Sequence, residues 1–229
     1  AIVVVHYAGM VADMDEIYRI SKSSGIPIIE DCAHALGALY KGKKLGYYSD
    51  YAIYSFQAIK HLTTIDGGLL IVKKHKDYLR ARKLRWFGLD KTISRADNNI
   101  SEVGFKYHMN DVNATIGLCQ LNFYNDNVQK YLEHGRLLDH GISNPNVTIP
   151  EYHKSTEPAY WLYTLLVDDV ERFNAYMTSH GIMASQLHKR NDLHEVFKSS
   201  LELPGVDEFY RQFTHIGCGP WLEKDIELI

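Results

Sequence analysis

Residues 51–72 read YAIYSFQAIKHLTTIDGGLLIV, and this stretch decides the fold. Tyr51 to Phe56 and Leu69 to Val72 are short runs rich in β-branched and aromatic residues, the length and composition of strands. Asp66-Gly67-Gly68 marks a tight turn into the second of them. Lys60 stands in the loop that leaves the first. Working outward, Ile2 to His6 is another short apolar run. Asp13 offers an N-cap with Glu16 three residues on, so a helix is expected to run to about Ser24 and to end at Gly25. Pro27 to Glu30 is a further strand, with Asp31 at its C-terminal end, and a helix follows Val72 from about Lys76 to Trp86. Strands alternating with helices predict an α/β fold built on a mostly parallel sheet.

The second half has a different grain. Asn110 to about His140 is mostly helical, a loop carries Pro145, Pro150 and Pro158, and Trp161 to Val167 reads as a strand. A helix capped by Asp168 or Asp169, a strand near Ile182 to Leu187 and short helices complete a smaller α+β unit. The expected division is a large domain over residues 1–121 and a small C-terminal domain over 122–229.

Composition narrows the function. A net charge of −3 lacks the basic excess that a nucleic-acid partner demands, and no apolar run approaches membrane-spanning length. The cysteines Cys32, Cys119 and Cys218 are odd in number and widely spaced. They suggest neither a disulfide framework nor a thiolate zinc site, and point to a reducing, cytoplasmic compartment. His188 and His194 flank five residues, a spacing that does not align them on one helix face, and no HExxH motif occurs, so no metal is expected.

In open α/β sheets, ligands collect at the carboxyl ends of the strands. Two chemistry-bearing segments fall there: Glu30-Asp31-Cys32-Ala33-His34 after one strand, and Ser55 to Thr64, with Lys60 at its centre, after the next. A lysine and a carboxylate brought together suit pyridoxal-phosphate (PLP) chemistry. The lysine forms a Schiff base, and the carboxylate keeps the pyridine nitrogen protonated so that the ring accepts electrons. Each residue also has a plainer reading. A loop lysine is usually solvated, and a strand-end aspartate usually serves a turn.

The segments EDCAHALGA (30–38), SFQAIKHLTTIDGG (55–68) and GFKYHMNDVNATIG (104–117), in this order, resemble the DegT/DnrJ/EryC1/StrS family of PLP-dependent nucleotide-sugar aminotransferases. The resemblance implies a PLP-dependent transferase of fold type I. Lys60 matches the Schiff-base lysine and Asp31 the carboxylate facing the pyridine nitrogen. His34 falls where the family usually has a glutamine near the ring oxygen, so cofactor contact and a structural histidine both stand. Ser55 matches a phosphate-binding hydroxyl. Lys106 sits where the family often has an asparagine that reaches the phosphate of the neighbouring subunit, which implies a homodimer. Arg190, in a small-domain segment similar to some members, is a candidate contact for an acidic group of the substrate. The implied reaction moves an amino group, from glutamate in most of the family, onto a nucleotide-linked keto-hexose in surface-polysaccharide or aminosugar biosynthesis. A branch of the family carries histidine in place of the lysine and performs dehydration, and Lys60 favours transamination. The rival reading is a non-catalytic fold-type-I fragment or small-molecule-binding scaffold.

Ala1 is not an initiator methionine, and the chain stops on Ile226, Leu228 and Ile229 at near-helical spacing. These ends read as those of an excerpt whose large domain is truncated at its N-terminus. Family members carry a phosphate-binding loop ahead of the first strand, so the chain by itself is expected to be catalytically incompetent and to expose an apolar sheet edge or face.

Overall fold

The computed structural model describes residues 1–197 and 201–222; the terminal Ile226, Leu228 and Ile229 lie outside them. Strand β1 (Ile2–Val5) leads into helix α1 (Met14–Ser24), whose ends follow from local chemistry. Asp13 accepts the N–H of Asp15, and Gly25, at φ 67°, supplies the left-handed turn that ends the helix. Strand β2 (Ile28–Asp31) follows, then a short hairpin of β3 (Leu39–Tyr40) and β4 (Lys43–Lys44), then β5 (Tyr51–Ser55) and β6 (Gly68–Val72). The sheet order is β1-β2-β5-β6. The first two pairings are parallel and the last antiparallel, as a turn at Gly67-Gly68 requires. Helix α2 (His75–Leu84) completes the unit, ending two residues before the expected Trp86.

One face of this sheet is packed. Val4, Ile28, Ala52 and Tyr54 form a core with Met14, Cys32, Ala35 and Tyr40. The other face is open: Val3, Val5, Ile53 and Leu70 are all exposed.

Residues 110–141 form two helices, α3 (Asp111–Leu121) and α4 (Tyr124–Gly141), instead of one. At the break, the N–H groups of Asn122 and Phe123 turn back to the carbonyls of Cys119 and Gln120, closing the end of α3 in a tightened last turn. Beyond come β7 (Val147–Thr148), β8 (Thr156–Glu157), β9 (Tyr163–Val167), α5 (Val170–Ser179), β10 (Ala184–Ser185), α6 (Pro204–Gln212) and β11 (Phe213–Ile216). The second sheet runs β10-β11-β9-β7 and is antiparallel throughout. Two expectations need correction. The strand expected from Trp161 begins only at Tyr163, and β11, an interior strand of this sheet, falls where short helices were expected. Its pattern is fully buried, so it has no alternation to reveal it.

The sheets lie either side of residue 121, yet the halves interlock. Strand β8 pairs with β3 of the first half, and Ala159 belongs to the first core.

Candidate active site

Strand alternation separates the two acids of the Glu30-Asp31 pair. Glu30 faces the core and is fully buried, accepting from Tyr18 Oη, the Gly46 N–H and His6 Nε2. Because Nδ1 of His6 accepts the Ala12 N–H, the imidazole proton sits on Nε2 and is donated to Glu30. Burial pushes the Glu30 carboxyl up, but the hydrogen bonds from its neighbours, His6 first and the Gly46 N–H among them, outweigh it and hold the group below its usual range. His6, Glu30 and Cys32 lie close enough to suggest a metal cage, but His6 and Glu30 already spend their polar atoms on one another and on their neighbours. Asp31 pairs in register with Val5 and Ile53, on the open face, and stays half-buried. Its Oδ1 accepts the Ala33 N–H at 3.0 Å, which fixes the turn after β2 and leaves Oδ2 available.

Lys60 lies in the loop after β5, the neighbouring strand. That loop is clamped from two sides. The Asn113 amide, in the first turn of α3, donates to the carbonyls of Thr64 (2.7 Å) and Asp66 (2.6 Å). Gly117, one helical turn on, allows the close approach: a Cβ there would stand 2.8 Å from Thr64 Cγ2. On the other side His61, buried, sets its Nε2 2.9 Å from the carbonyl of Ala159. The lysine is thus presented by a fixed backbone. Its Nζ stands 3.5 Å from the ring centre of Trp161. Burial lowers its pKa to about 8 against the opposing pull of Asp31, so a usable fraction of neutral amine exists near neutral pH.

His34 joins the same cluster. Its ring stacks on Trp161 (centroids 3.9 Å, 24° apart), and its Nδ1 accepts the Ala8 N–H at 3.3 Å. Burial, and then the charge of Lys60, lower its pKa to about 3, so it stays neutral with its proton on Nε2. Tyr7 lies beside it (5.8 Å) and reaches Nε2 of His215 through its hydroxyl at 3.1 Å, while His188 stacks near His34 at 6.0 Å. These side chains come from both halves of the chain.

The remaining candidates make contacts of their own. Ser55 ends β5, and its Oγ accepts the N–H of Gln57 at 3.3 Å. Lys106 is exposed on a segment bridged to Trp86. Among the described residues no hydrogen bond or ion pair ties it to Lys60, Asp31 or His34. Arg190 is engaged by Asp192 at 2.7 Å and by Asp207, so a substrate acid would compete with two carboxylates.

The sequence matches the DegT/DnrJ/EryC1/StrS aminotransferase family over residues 1–227. The chain belongs to that family. It is 32% identical to the UDP-4-amino-4,6-dideoxy-N-acetyl-beta-L-altrosamine transaminase of Campylobacter jejuni, over 95% of this chain and 60% of that protein. The fold is similar to the crystal structure of AtS13 from Actinomadura melliaura, with a TM-score of 0.95 at 35% identity over 99% of this chain and 64% of that one. It also resembles the sugar aminotransferase CalS13 from Micromonospora echinospora, with a TM-score of 0.94 at 32% identity, over 100% and 64% of the two chains. The chain therefore spans about three fifths of the length of these family members, and its fold is that of the fold-type-I PLP-dependent sugar aminotransferases. The structure brings Trp161, Tyr7 and His215 together with Lys60 and His34, and none of these three was among the residues singled out from the sequence. Trp161 stood in the sequence only as the start of an expected strand, and no local pattern ties it to a lysine 101 positions earlier in the chain.

Proposed function

We propose that this chain carries the cofactor-holding half-site of a PLP-dependent aminotransferase that aminates a nucleotide-linked keto-hexose, with an amino acid such as glutamate as donor. The observation that carries the reading is the pairing of Lys60, an amine of depressed basicity, with Asp31 at the carboxyl ends of adjacent parallel strands. The names of the Campylobacter and Micromonospora relatives support the sugar substrate.

The donor set fits PLP. Bound here, the cofactor would supply an aldehyde for the lysine and a pyridinium ring that draws electrons from the substrate carbon. Lys60 is the group to hold it covalently, and its Nζ, when free, is basic enough to take a proton and weakly enough held to return one. Asp31 would keep the ring nitrogen protonated through its open carboxylate oxygen. His34, neutral and donating from Nε2, suits the ring oxygen. Ser55 would serve the phosphate by exchanging its contact with Gln57. The same reading makes the protein a cytoplasmic homodimer in which Lys106 reaches the partner's cofactor phosphate. Its exposure, with no hydrogen bond or ion pair among the described residues to the Lys60 cluster of its own chain, supports this. No described helix is long and apolar enough to cross a membrane.

The test is to incubate a longer form of the protein that contains this chain with PLP, reduce with borohydride and map the label. Visible absorption and a label on Lys60, both lost in Lys60→Ala, are expected. A colourless protein, or a label on another lysine, would overturn the assignment and favour a non-catalytic scaffold.

A further inference from the structure

Trp161 reaches the lysine loop from the second half of the chain, and its position is fixed independently of Lys60. Its indole Nε1 donates to the carbonyl of Ile59 at 2.9 Å. The flanking N–H groups of Ala159 and Leu162 donate to the carbonyls of Gly9 and Ala8. Tyr160 just before it takes a φ of 47°, an uncommon conformation for a residue with a side chain. The ring is almost fully buried, so it meets the lysine in surroundings from which most water is excluded. An ammonium over an indole face is held by the ring quadrupole, and the hold strengthens as water is removed.

We propose that Trp161 is the positioning residue of Lys60: its indole face receives the lysine ammonium whenever that amine is not covalently engaged, and favours its protonated form. Two opposed influences then act on one Nζ. Burial favours the neutral amine, while the indole and Asp31 favour the cation. The balance leaves an amine that exchanges protons near neutral pH and does not swing away into solvent between bond-breaking and bond-making. His34, stacked on the same indole, limits where that ring can move. Trp161 acts through Lys60 in this role and needs no contact with substrate or cofactor.

The catalytic meaning rests on Lys60 being the cofactor lysine, but the contact does not, and both measurements below use cofactor-free protein. Failure to bind PLP would therefore leave them standing. The first is the pH profile of Lys60 acetylation by trace acetic anhydride, read by peptide mass spectrometry with exposed Lys22 as internal reference. In Trp161→Leu the midpoint should fall by about one unit, because the cation loses its partner while an apolar group still fills the space. Trp161→Phe should restore most of the difference. A midpoint that is unchanged or raised in the leucine variant, or a phenylalanine variant that matches leucine, would overturn the proposal. The second measurement keeps Trp161 intact and so survives a misfolded leucine variant. In a Trp86→Phe/Trp221→Phe background, indole emission should change with pH around the Lys60 midpoint near 8, and Lys60→Met should abolish that change. Emission that does not titrate there, or that still titrates in Lys60→Met, would equally overturn it.

Discussion

Nε2 of His6 lies 3.1 Å from a carboxylate oxygen of Glu30, and neither side chain has any exposure to solvent. The pair ties β1 to β2 beneath the strand end that presents Asp31. Removing one member leaves the other buried without its partner, so His6→Ala should cost about 3 kcal/mol of stability. Urea denaturation would measure it, and a loss below 1 kcal/mol by that assay would show the pair to be incidental.

Acid should destabilise this protein early. His34, His61 and His215 are held down to about 3, 4 and 4 from an ordinary 6.5, in each case first by burial. A lowered histidine pKa means that the unfolded chain binds protons the folded chain refuses. Their contribution is therefore complete above pH 6.5 and is lost as pH falls from there toward 4. Glu30, held below its ordinary 4.5, adds a further loss as pH drops through that value. Urea midpoints should be level between about pH 6.5 and 8 and slope downward below 6.5. A level curve down to pH 4.5 would contradict the burial of these rings.

Gly9 is a point of close approach between the halves. With φ at 98°, it has its hypothetical Cβ 2.8 Å from the Tyr160 nitrogen and 2.9 Å from that of Trp161. Gly9→Ala should destabilise the protein by about 1–3 kcal/mol through backbone strain and overpacking. It should also push Trp161 off the lysine loop, visible as a shift in tryptophan emission. Unchanged stability and emission would mean that the two segments can part freely.

In a longer form of the protein that contains this chain, the proposed dimer predicts complementation. Lys106→Ala should retain PLP poorly while keeping its circular dichroism, and Lys60→Ala should be inactive. Mixed subunits should recover part of the activity, because one hybrid site has both lysines. Proven subunit exchange without recovery would place Lys106 in its own chain's site or in none.

What was legible in the sequence was local. The ends of α1 follow from Asp13 and Gly25, and both were placed because a cap and a left-handed turn involve only neighbouring residues. Asp31 and Lys60 could be paired because the crossover rule brings strand ends together. Trp161 and β11 escaped because each is defined by distant partners. The Phe213–Ile216 stretch becomes a strand by pairing with β9 and β10 on either side, and Trp161 gains its significance only where its indole meets Ile59 and Lys60. The division of Glu30 from Asp31 was likewise invisible until strand pairing assigned each a face.

Strand β11 has a consequence for the order of assembly. The first sheet has all four strands once residue 72 has been made, whereas the second cannot close until residue 216, because its interior strand is translated last. On the ribosome, where chains lengthen by about 5–20 residues per second, β9 must wait several seconds for the neighbour that covers it. Trp161 lies just upstream of β9, so the lysine loop emerges with its strands early and receives its aromatic platform late. Holdase chaperones, or a pause in translation between β9 and β11, would have their greatest effect on this interval.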